Sequence, residues 1–140
     1  MNILIDTNVA IDILIEREPF FKNSQRILLA AEQKYINGFI SASSITDIYY
    51  ITYKFYKSKA TANELLREHL IGAVNIAAVD GDIIIEALDL NWSDFEDSVQ
   101  YITGESISAD YIVTRNPEDF KNAKINIITP EELLDIIAPE

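Results

Sequence analysis

The sequence contains no cysteine and a single histidine, His69, among its 140 residues. The lack of cysteine excludes a disulfide framework, thiolate catalysis and thiolate zinc sites, and it suits a reducing cytosol. One histidine excludes a multi-histidine metal centre and leaves any serine–histidine–acid triad dependent on His69. A metal ion would therefore have oxygen ligands, which magnesium and manganese prefer.

Long hydrophobic runs and positive charge are also scarce. The longest mainly apolar run, residues 70–79, is far short of the roughly 20 residues that a membrane-spanning helix needs. The N-terminal segment carries Asp6 and Asp12 without a basic lead, so we expect no signal peptide and a cytoplasmic protein without membrane association. The net charge of −12 argues against tight non-specific binding to nucleic acid, although a local basic patch can still act.

Hydrophobic residues make up 49% of the chain, which predicts one folded domain over residues 1–140. Short apolar runs alternate with amphipathic segments. Strands are predicted at residues 2–5, 38–41, 73–79, 111–114 and 125–128, with helical segments between them and after the last. This order predicts an α/β fold with a parallel sheet of about five strands, covered by helices on both faces. Ligands of such sheets bind beyond the carboxyl ends of the strands.

Three predicted helix starts have the pattern of a capping box or a close relative. They are Ser44-x-x-Asp47, Ser93-x-x-Glu96 and Thr129-Pro130-x-Glu132. Each gives an acidic residue a local structural explanation, which competes with a catalytic one.

Two acids follow the first two predicted strands. Asp6 directly follows an apolar strand, where burying a carboxylate costs several kcal/mol unless a partner or a metal compensates it. Asp6 can also cap the next helix, and the two roles are compatible because a cap leaves one carboxylate oxygen free. Asp47 is either a capping-box acid or a ligand in the same cleft.

The segment N-W-S-D-F-E-D-S-V-Q-Y is the most acidic candidate site. Asp94 and Asp97 stand three residues apart on a predicted helix, where like charges repel unless a cation lies near them. Favourable charge in the first helical turn is the alternative explanation, and Glu96 is assigned to the Ser93 cap. The predicted buried stripe of this helix is Phe95, Val99 and Ile102.

The fourth predicted strand releases Asn116 at its carboxyl end. Asn116 precedes a proline and is also an ordinary turn residue. Asp110, at the other end of the strand, and Asp119, in the following turn, are left outside the site. The five retained candidates all fall at one edge of the predicted sheet: Asp6, Asp47, Asp94, Asp97 and Asn116.

Four segments in this order resemble the PIN domain, and more narrowly the VapC-type toxins of bacterial and archaeal toxin–antitoxin pairs. They are I-L-I-D-T-N-V-A-I-D, S-x-S-S-I-T-D-I-Y-Y-I, D-F-E-D-S-V-Q-Y and I-V-T-R-N-P-E-D-F. The resemblance covers nearly the whole chain and implies a Rossmann-like, three-layer α/β/α sandwich. It also implies a magnesium- or manganese-dependent endoribonuclease that hydrolyses RNA phosphodiester bonds.

By position, the resemblance makes Asp6 the first metal-binding aspartate, Asp47 the second acid and Asp97 the third, with Asp94 beside it. Asn116 falls at the fourth position. The second acid is more often glutamate, so the shorter Asp47 must approach more closely or act through water. The fourth position is often aspartate, so Asn116 lowers the charge of the site. A PIN domain with a weakened site, acting as an RNA-binding or protein-interaction module, is therefore the alternative function.

Four of the seven tyrosines lie within residues 49–56. The predicted helix has one face with Tyr49, Tyr53 and Tyr56, and an adjacent face with Ile48, Ile51 and Phe55. So apolar a helix is buried in the core, contacts a second protein, or stacks with bases. The resemblance favours an interface, because it implies a homodimer held by a small antitoxin. His69 is predicted at the surface, and Trp92 is predicted to be a packing anchor.

Two other enzyme classes fit less well. An aspartate-nucleophile phosphatase needs a second aspartate two positions after the first, where this chain has Asn8. A receiver domain needs a phosphorylatable aspartate at the end of the middle strand, where Asp80 is explained as a helix cap.

Overall fold

The computed structural model describes residues 1–137. Its strands are β1 (Asn2–Ile5), β2 (Asn37–Ser41), β3 (Asn75–Ala77), β4 (Tyr111–Val113) and β5 (Asn126–Ile128). Its α-helices are α1 (Thr7–Leu14), α2 (Phe21–Glu32), α3 (Ala42–Tyr56), α4 (Lys59–Leu65), α5 (Gly81–Leu90), α6 (Phe95–Ser106) and α7 (Pro130–Ile137). A π-helical turn at Leu66–Ile71 continues α4, and a 3₁₀ turn at Pro117–Phe120 follows β4.

The five strands form one parallel sheet in the order β3-β2-β1-β4-β5. The central strand β1 pairs through Ile3 with Gly38 of β2 on one side and with Tyr111 of β4 on the other. The predicted parallel α/β sheet is therefore confirmed. Its carboxyl edge brings the residues after β1, β2 and β4 together.

Two hydrophobic clusters cover the two faces of the sheet. Ile3 and Ile5 of β1 pack with residues of α1, α2 and α7 on one face. Leu4 of the same strand packs with residues of α5 and α6 on the other face, because successive side chains of a strand point to opposite sides. These clusters make the predicted three layers.

Two of the predicted capping boxes are wrong, and one is confirmed. Helix α3 is capped by Ser41, whose hydroxyl accepts from the Ser43 N–H. Helix α6 is capped by Asp94. In α7 the box is formed as predicted by two reciprocal bonds between Thr129 and Glu132, at 2.8 and 3.2 Å.

Of several smaller packing predictions, most are confirmed and one is wrong. Val99 and Ile102 are buried as expected, but Phe95, the first residue of α6, is 44% exposed. Trp92 stacks on the Tyr101 ring at 5.1 Å, which confirms it as a packing anchor. His69 is exposed, as predicted.

Helix α3 is neither wholly buried nor wholly exposed. Ile48 is fully buried, whereas Ile51 and Phe55, which we had placed on the same face, are 39% and 56% exposed. The Tyr56 hydroxyl donates to the Leu14 carbonyl at 2.7 Å, so Tyr56 rather than Phe55 turns toward α1. Across residues 1–137, every helix is too short or too polar to cross a membrane.

Candidate active site

Asp6 is the first residue beyond β1 and the N-cap of α1. Its carboxylate is only 5% exposed and accepts three hydrogen bonds. Oδ1 accepts from the Thr7 N–H and from Gln100 Nε2, each at 2.7 Å, and Oδ2 accepts from Thr114 Oγ1 at 2.7 Å. The capping role and a site role therefore coexist, and the orientation of the carboxylate is fixed from both sides.

Asp6 and Thr114 meet because β1 and β4 are parallel neighbours. Ile5 is paired with Val113, so the next residue of each strand emerges at the same edge of the sheet. The Asn116 N–H also donates to Thr114 Oγ1 at 3.1 Å. The segment after β4, which carries Asn116, is thereby held beside the Asp6 carboxylate.

A hydrogen bond in the first turn of helix α3 holds this helix at the same edge of the sheet. Ser44 is fully buried inside α3 and accepts a hydrogen bond from Thr7 Oγ1 at 2.8 Å. It does not cap the helix, because the helix already begins at Ala42. Asp47 is therefore released from its predicted capping role and stands exposed one turn further along α3.

Asp94 caps α6 by accepting from the Asp97 N–H at 3.2 Å. The pKa of Asp97 is raised to about 7 by burial and by the charges of Asp94, Asp6 and Asp119. The negative charges of Asp94 and Asp6 both act on Asp97. The predicted pair, Asp94 and Asp97, therefore lies near Asp6.

Glu96 also belongs to this cluster, contrary to the sequence analysis. Its pKa is raised to about 7 by burial, by a hydrogen bond with the Asp47 carboxyl, and by the charges of Asp47, Asp94 and Asp6. With Asp94 as the cap, Glu96 and Asp97 both lie in the first turn of α6. The signal that could have found Glu96 is this one-residue shift of the helix start.

Asp119 is the second acid that the sequence analysis left out. Asp119 is exposed, but loss of hydration and the charges of Glu118, Asp6 and Asp94 raise its pKa. A cleft of about 500 Å³ runs from the start of α6 to the 3₁₀ turn. It is lined by Trp92, Ser93, Asp94, Asp97, Glu118, Asp119, Lys121 and Asn122. The return of the chain through this turn, rather than strand order, brings Asp119 to the cleft.

Arg115 is directed away along α1. Its Nε donates to Asp12 Oδ2 at 2.6 Å, and its guanidinium lies 4.1 Å from the centre of the Phe20 ring. Asp12 is fully buried, and burial raises its pKa although Arg115 lowers it. This ion pair ties the segment after β4 to α1 and so supports the edge on which Asp6 and Thr114 meet.

The donor chemistry of the cluster fits a hard divalent cation. The acids that act on Asp97 and Glu96 offer carboxylate oxygens, and the raised pKa values reflect burial together with the charges of these neighbouring acids. Within residues 1–137, no three acids or histidines are arranged to hold an ion as they stand.

The chain is similar to a family model and to a characterised relative. The family model described as "PIN domain" matches residues 2–118. Ribonuclease VapC1 of Aquifex aeolicus is 28% identical over 138 residues, which cover 95% of this chain and 93% of the relative.

Solved structures share the fold at low identity. VapBC2 of Rickettsia felis, bound to a DNA fragment from its promoter, superposes with a TM-score of 0.69 at 18% identity, covering 91% of this chain and 97% of the other. A toxin–antitoxin complex from Klebsiella pneumoniae gives 0.66 at 21% identity, covering 91% and 96%.

Proposed function

The chain belongs to the PIN domain family, and from this membership we propose that it is a metal-dependent endoribonuclease that hydrolyses RNA phosphodiester bonds. The observation that carries the proposal is the group of acids gathered at the carboxyl edge of the sheet. Asp97 and Glu96, with pKa values of about 7, mark its centre. Likeness to Ribonuclease VapC1 over 95% of the chain supports RNA as the substrate.

Magnesium or manganese is the proposed cofactor, held by Asp6 and Asp97 with Asp47 and Asp94, and we add Glu96 to this set. When bound, the ion supplies a more acidic water and positive charge for the leaving oxygen. Both ions prefer oxygen ligands, and the cluster offers only oxygen.

The chain's own residues orient the Asp6 carboxylate and neutralise part of the negative charge in the cleft. Thr7, Gln100 and Thr114 hold the Asp6 carboxylate in one orientation. The pKa values of Asp97 and Glu96 are raised to about 7, and both groups are proposed to lose their protons when positive charge enters the cleft. The side-chain amide of Asn116, whose backbone N–H donates to Thr114 Oγ1, is proposed to donate a hydrogen bond to the substrate phosphate or to a water.

We further propose that the protein is the toxin of a type II toxin–antitoxin pair and forms a homodimer in the cytoplasm. Of the solved structures of like fold, the one from Klebsiella pneumoniae is a toxin–antitoxin complex, and the one from Rickettsia felis is VapBC2 bound to a DNA fragment from its promoter. Helix α3 exposes Tyr50, Ile51 and Phe55 by 53%, 39% and 56%. An apolar surface of this kind suits a protein partner, here a second copy or an antitoxin.

The test is cleavage of a mixed pool of structured cellular RNAs in the presence of Mn²⁺. The controls are a chelator, the double variant Asp6→Asn/Asp97→Asn, and Asp110→Asn. Asp110 lies at the opposite end of β4 and accepts from the Asn2 N–H at 2.8 Å, so its variant makes the same kind of substitution outside the cleft and removes one negative charge where the double variant removes two. We expect discrete cuts that the chelator and the double variant abolish and that Asp110→Asn retains.

The interaction-module alternative rests on the weakened site, which has Asp47 and Asn116 at the second and fourth positions, and on one structural observation. Within the described residues, no three acids are already arranged to hold an ion. A folded protein that neither binds Mn²⁺ nor cuts RNA, yet still binds RNA or a partner protein, would establish that alternative.

A further inference from the structure

Gln100 is a fully buried polar residue whose amide reaches the first acid of the site. It lies on α6, one turn beyond Asp97, and is 0% exposed. Its Nε2 donates to Asp6 Oδ1 at 2.7 Å. The contact joins two residues that are 94 positions apart in the sequence. Helical periodicity describes only local order and therefore does not predict this contact.

The other end of the same amide is unsatisfied. Within residues 1–137, Gln100 Oε1 is one of two buried side-chain atoms without a hydrogen-bond partner, the other being Ser24 Oγ. Rotating the amide by half a turn would place Oε1 against the Asp6 carboxylate, so that two acceptors would face each other. The orientation is therefore dictated by Asp6, and the unpaired oxygen is its consequence.

An unpaired buried acceptor is destabilising, and an apolar side chain of the same length would avoid it. A glutamine at this position is thus explained by its Nε2 rather than by packing. Thr7 and Gln100 share Oδ1 while Thr114 alone contacts Oδ2, so the glutamine completes the set that fixes the carboxylate plane.

We propose that Gln100 is a positioning residue that holds Asp6 in the orientation needed to bind the divalent cation. The inference rests on the proposed function, since it assigns Gln100 a role through Asp6. Residues that orient a ligand from behind typically change metal affinity 10- to 100-fold when removed.

The experiment measures Mn²⁺ affinity directly, by electron paramagnetic resonance titration of the full chain. Gln100→Met keeps the length of the side chain and removes the donor, and we expect Mn²⁺ binding to weaken about 10- to 100-fold. Ser24→Ala, at the other unpaired buried atom, is the matched control and should leave the affinity unchanged. Thermal unfolding by circular dichroism establishes that each variant is folded.

A second variant keeps the test decisive if Gln100→Met does not fold. Gln100→Asn retains the amide but is one methylene shorter, so it cannot reach Asp6 in the same backbone position. It should weaken Mn²⁺ binding in the same direction. Wild-type affinity in a folded Gln100→Met or Gln100→Asn protein would overturn the proposal.

A double-mutant cycle separates positioning from a general structural role. If Gln100 acts through Asp6, then Gln100→Met should cause no further loss, within about twofold, once Asp6→Asn is present. A purely structural role predicts the same loss in both backgrounds, and that additivity would refute the inference.

The outcomes also separate this inference from the proposed function. Coupled loss of Mn²⁺ affinity in a protein that cuts no RNA would support the role of Gln100 while the nuclease proposal fails. RNA cleavage that depends on Asp6, with Mn²⁺ affinity indifferent to Gln100, would leave the nuclease proposal standing and overturn this one. Absence of Mn²⁺ binding by the folded wild-type chain would overturn the role of Gln100 in cation binding.

Discussion

The carboxyl groups of the cleft differ in what surrounds each of them. Asp6 is buried and receives three hydrogen bonds, so its orientation is fixed. Asp97 and Glu96 are partly buried beside other acids, and both have pKa values of about 7. The cleft therefore combines one fixed carboxylate with two that change protonation near neutral pH.

Glu96 provides the first prediction at this scale. Glu96→Gln removes a carboxylate that contacts Asp47 and lies near Asp94 and Asp6. We expect Mn²⁺ affinity and RNA cleavage to fall roughly 10-fold or more, the size typical of losing a group that supports a metal site. The measurements are Mn²⁺ titration and initial cleavage rate at fixed Mn²⁺.

Glu105→Gln is the matched control for that change. Glu105 lies on the same helix and accepts a hydrogen bond from the Tyr101 hydroxyl at 2.9 Å. Glu105→Gln removes one negative charge, as Glu96→Gln does, but leaves the acid cluster unchanged. Equal behaviour of the two variants would mean that Glu96 contributes only to the overall charge.

The sequence revealed acids that directly follow a strand or begin a helix. Asp6 and Asp94 are of this kind, because local order alone places them at an edge. Glu96, Asp119 and Gln100 were missed. Glu96 joins the site because the helix start is shifted by one residue, Asp119 because the chain returns through a turn, and Gln100 because two distant elements are in contact. Hydrophobic periodicity encodes none of these.

At the scale of elements, the start of α6 carries two functions in one residue. Asp94 caps the helix through the Asp97 N–H, and its charge raises the pKa of Asp97. Capping stabilises a helix by about 0.5–2 kcal/mol, whereas the like charge beside it is unfavourable without a cation.

Two substitutions at Asp94 separate these functions. Asp94→Ser keeps a capping hydroxyl and removes the charge, so thermal stability should be retained while Mn²⁺ affinity falls. Asp94→Ala removes both and should cost about 1 kcal/mol relative to Asp94→Ser. Urea unfolding and Mn²⁺ titration of both variants check this. Wild-type Mn²⁺ affinity in Asp94→Ser would show that the residue is only a cap.

The elements themselves were largely predictable. The bounds predicted for β1 are those observed, every other predicted strand is present with ends within two residues of its predicted bounds, and helices lie between the strands as predicted. The errors lie where two capping residues compete, as with Ser41 and Ser44. Local preference cannot decide between them, because the choice is made by tertiary contacts such as the bond between Thr7 and Ser44.

At the scale of the whole molecule, a net charge of −12 makes the acid cluster costly to assemble without cations. The chain gathers several of its acids at one edge of the sheet, where their repulsion is felt directly. It follows that pH and divalent cations should both act on global stability through this one region.

The last prediction concerns the metal-free protein. Two of its carboxyl groups have higher pKa values in the folded than in the unfolded state. The pKa rises from 3.8 to about 7 for Asp97 and from 4.5 to about 7 for Glu96. The folded state therefore binds more protons across this window, and stability should fall as pH rises from about 4 to about 7 and then level off.

Thermal unfolding in chelator at pH 5 and pH 8, at constant ionic strength, measures this difference. We expect a lower midpoint at pH 8, by about 2–4 °C for each kcal/mol lost, and a smaller difference in Asp97→Asn but not in Asp110→Asn. Mn²⁺ should raise the midpoint more at pH 8 than at pH 5, since protons compete with the cation for the same oxygens. A midpoint that rises from pH 5 to pH 8 in chelator, or an Asp97→Asn protein with the wild-type pH dependence, would contradict the assignment of this repulsion to the cleft.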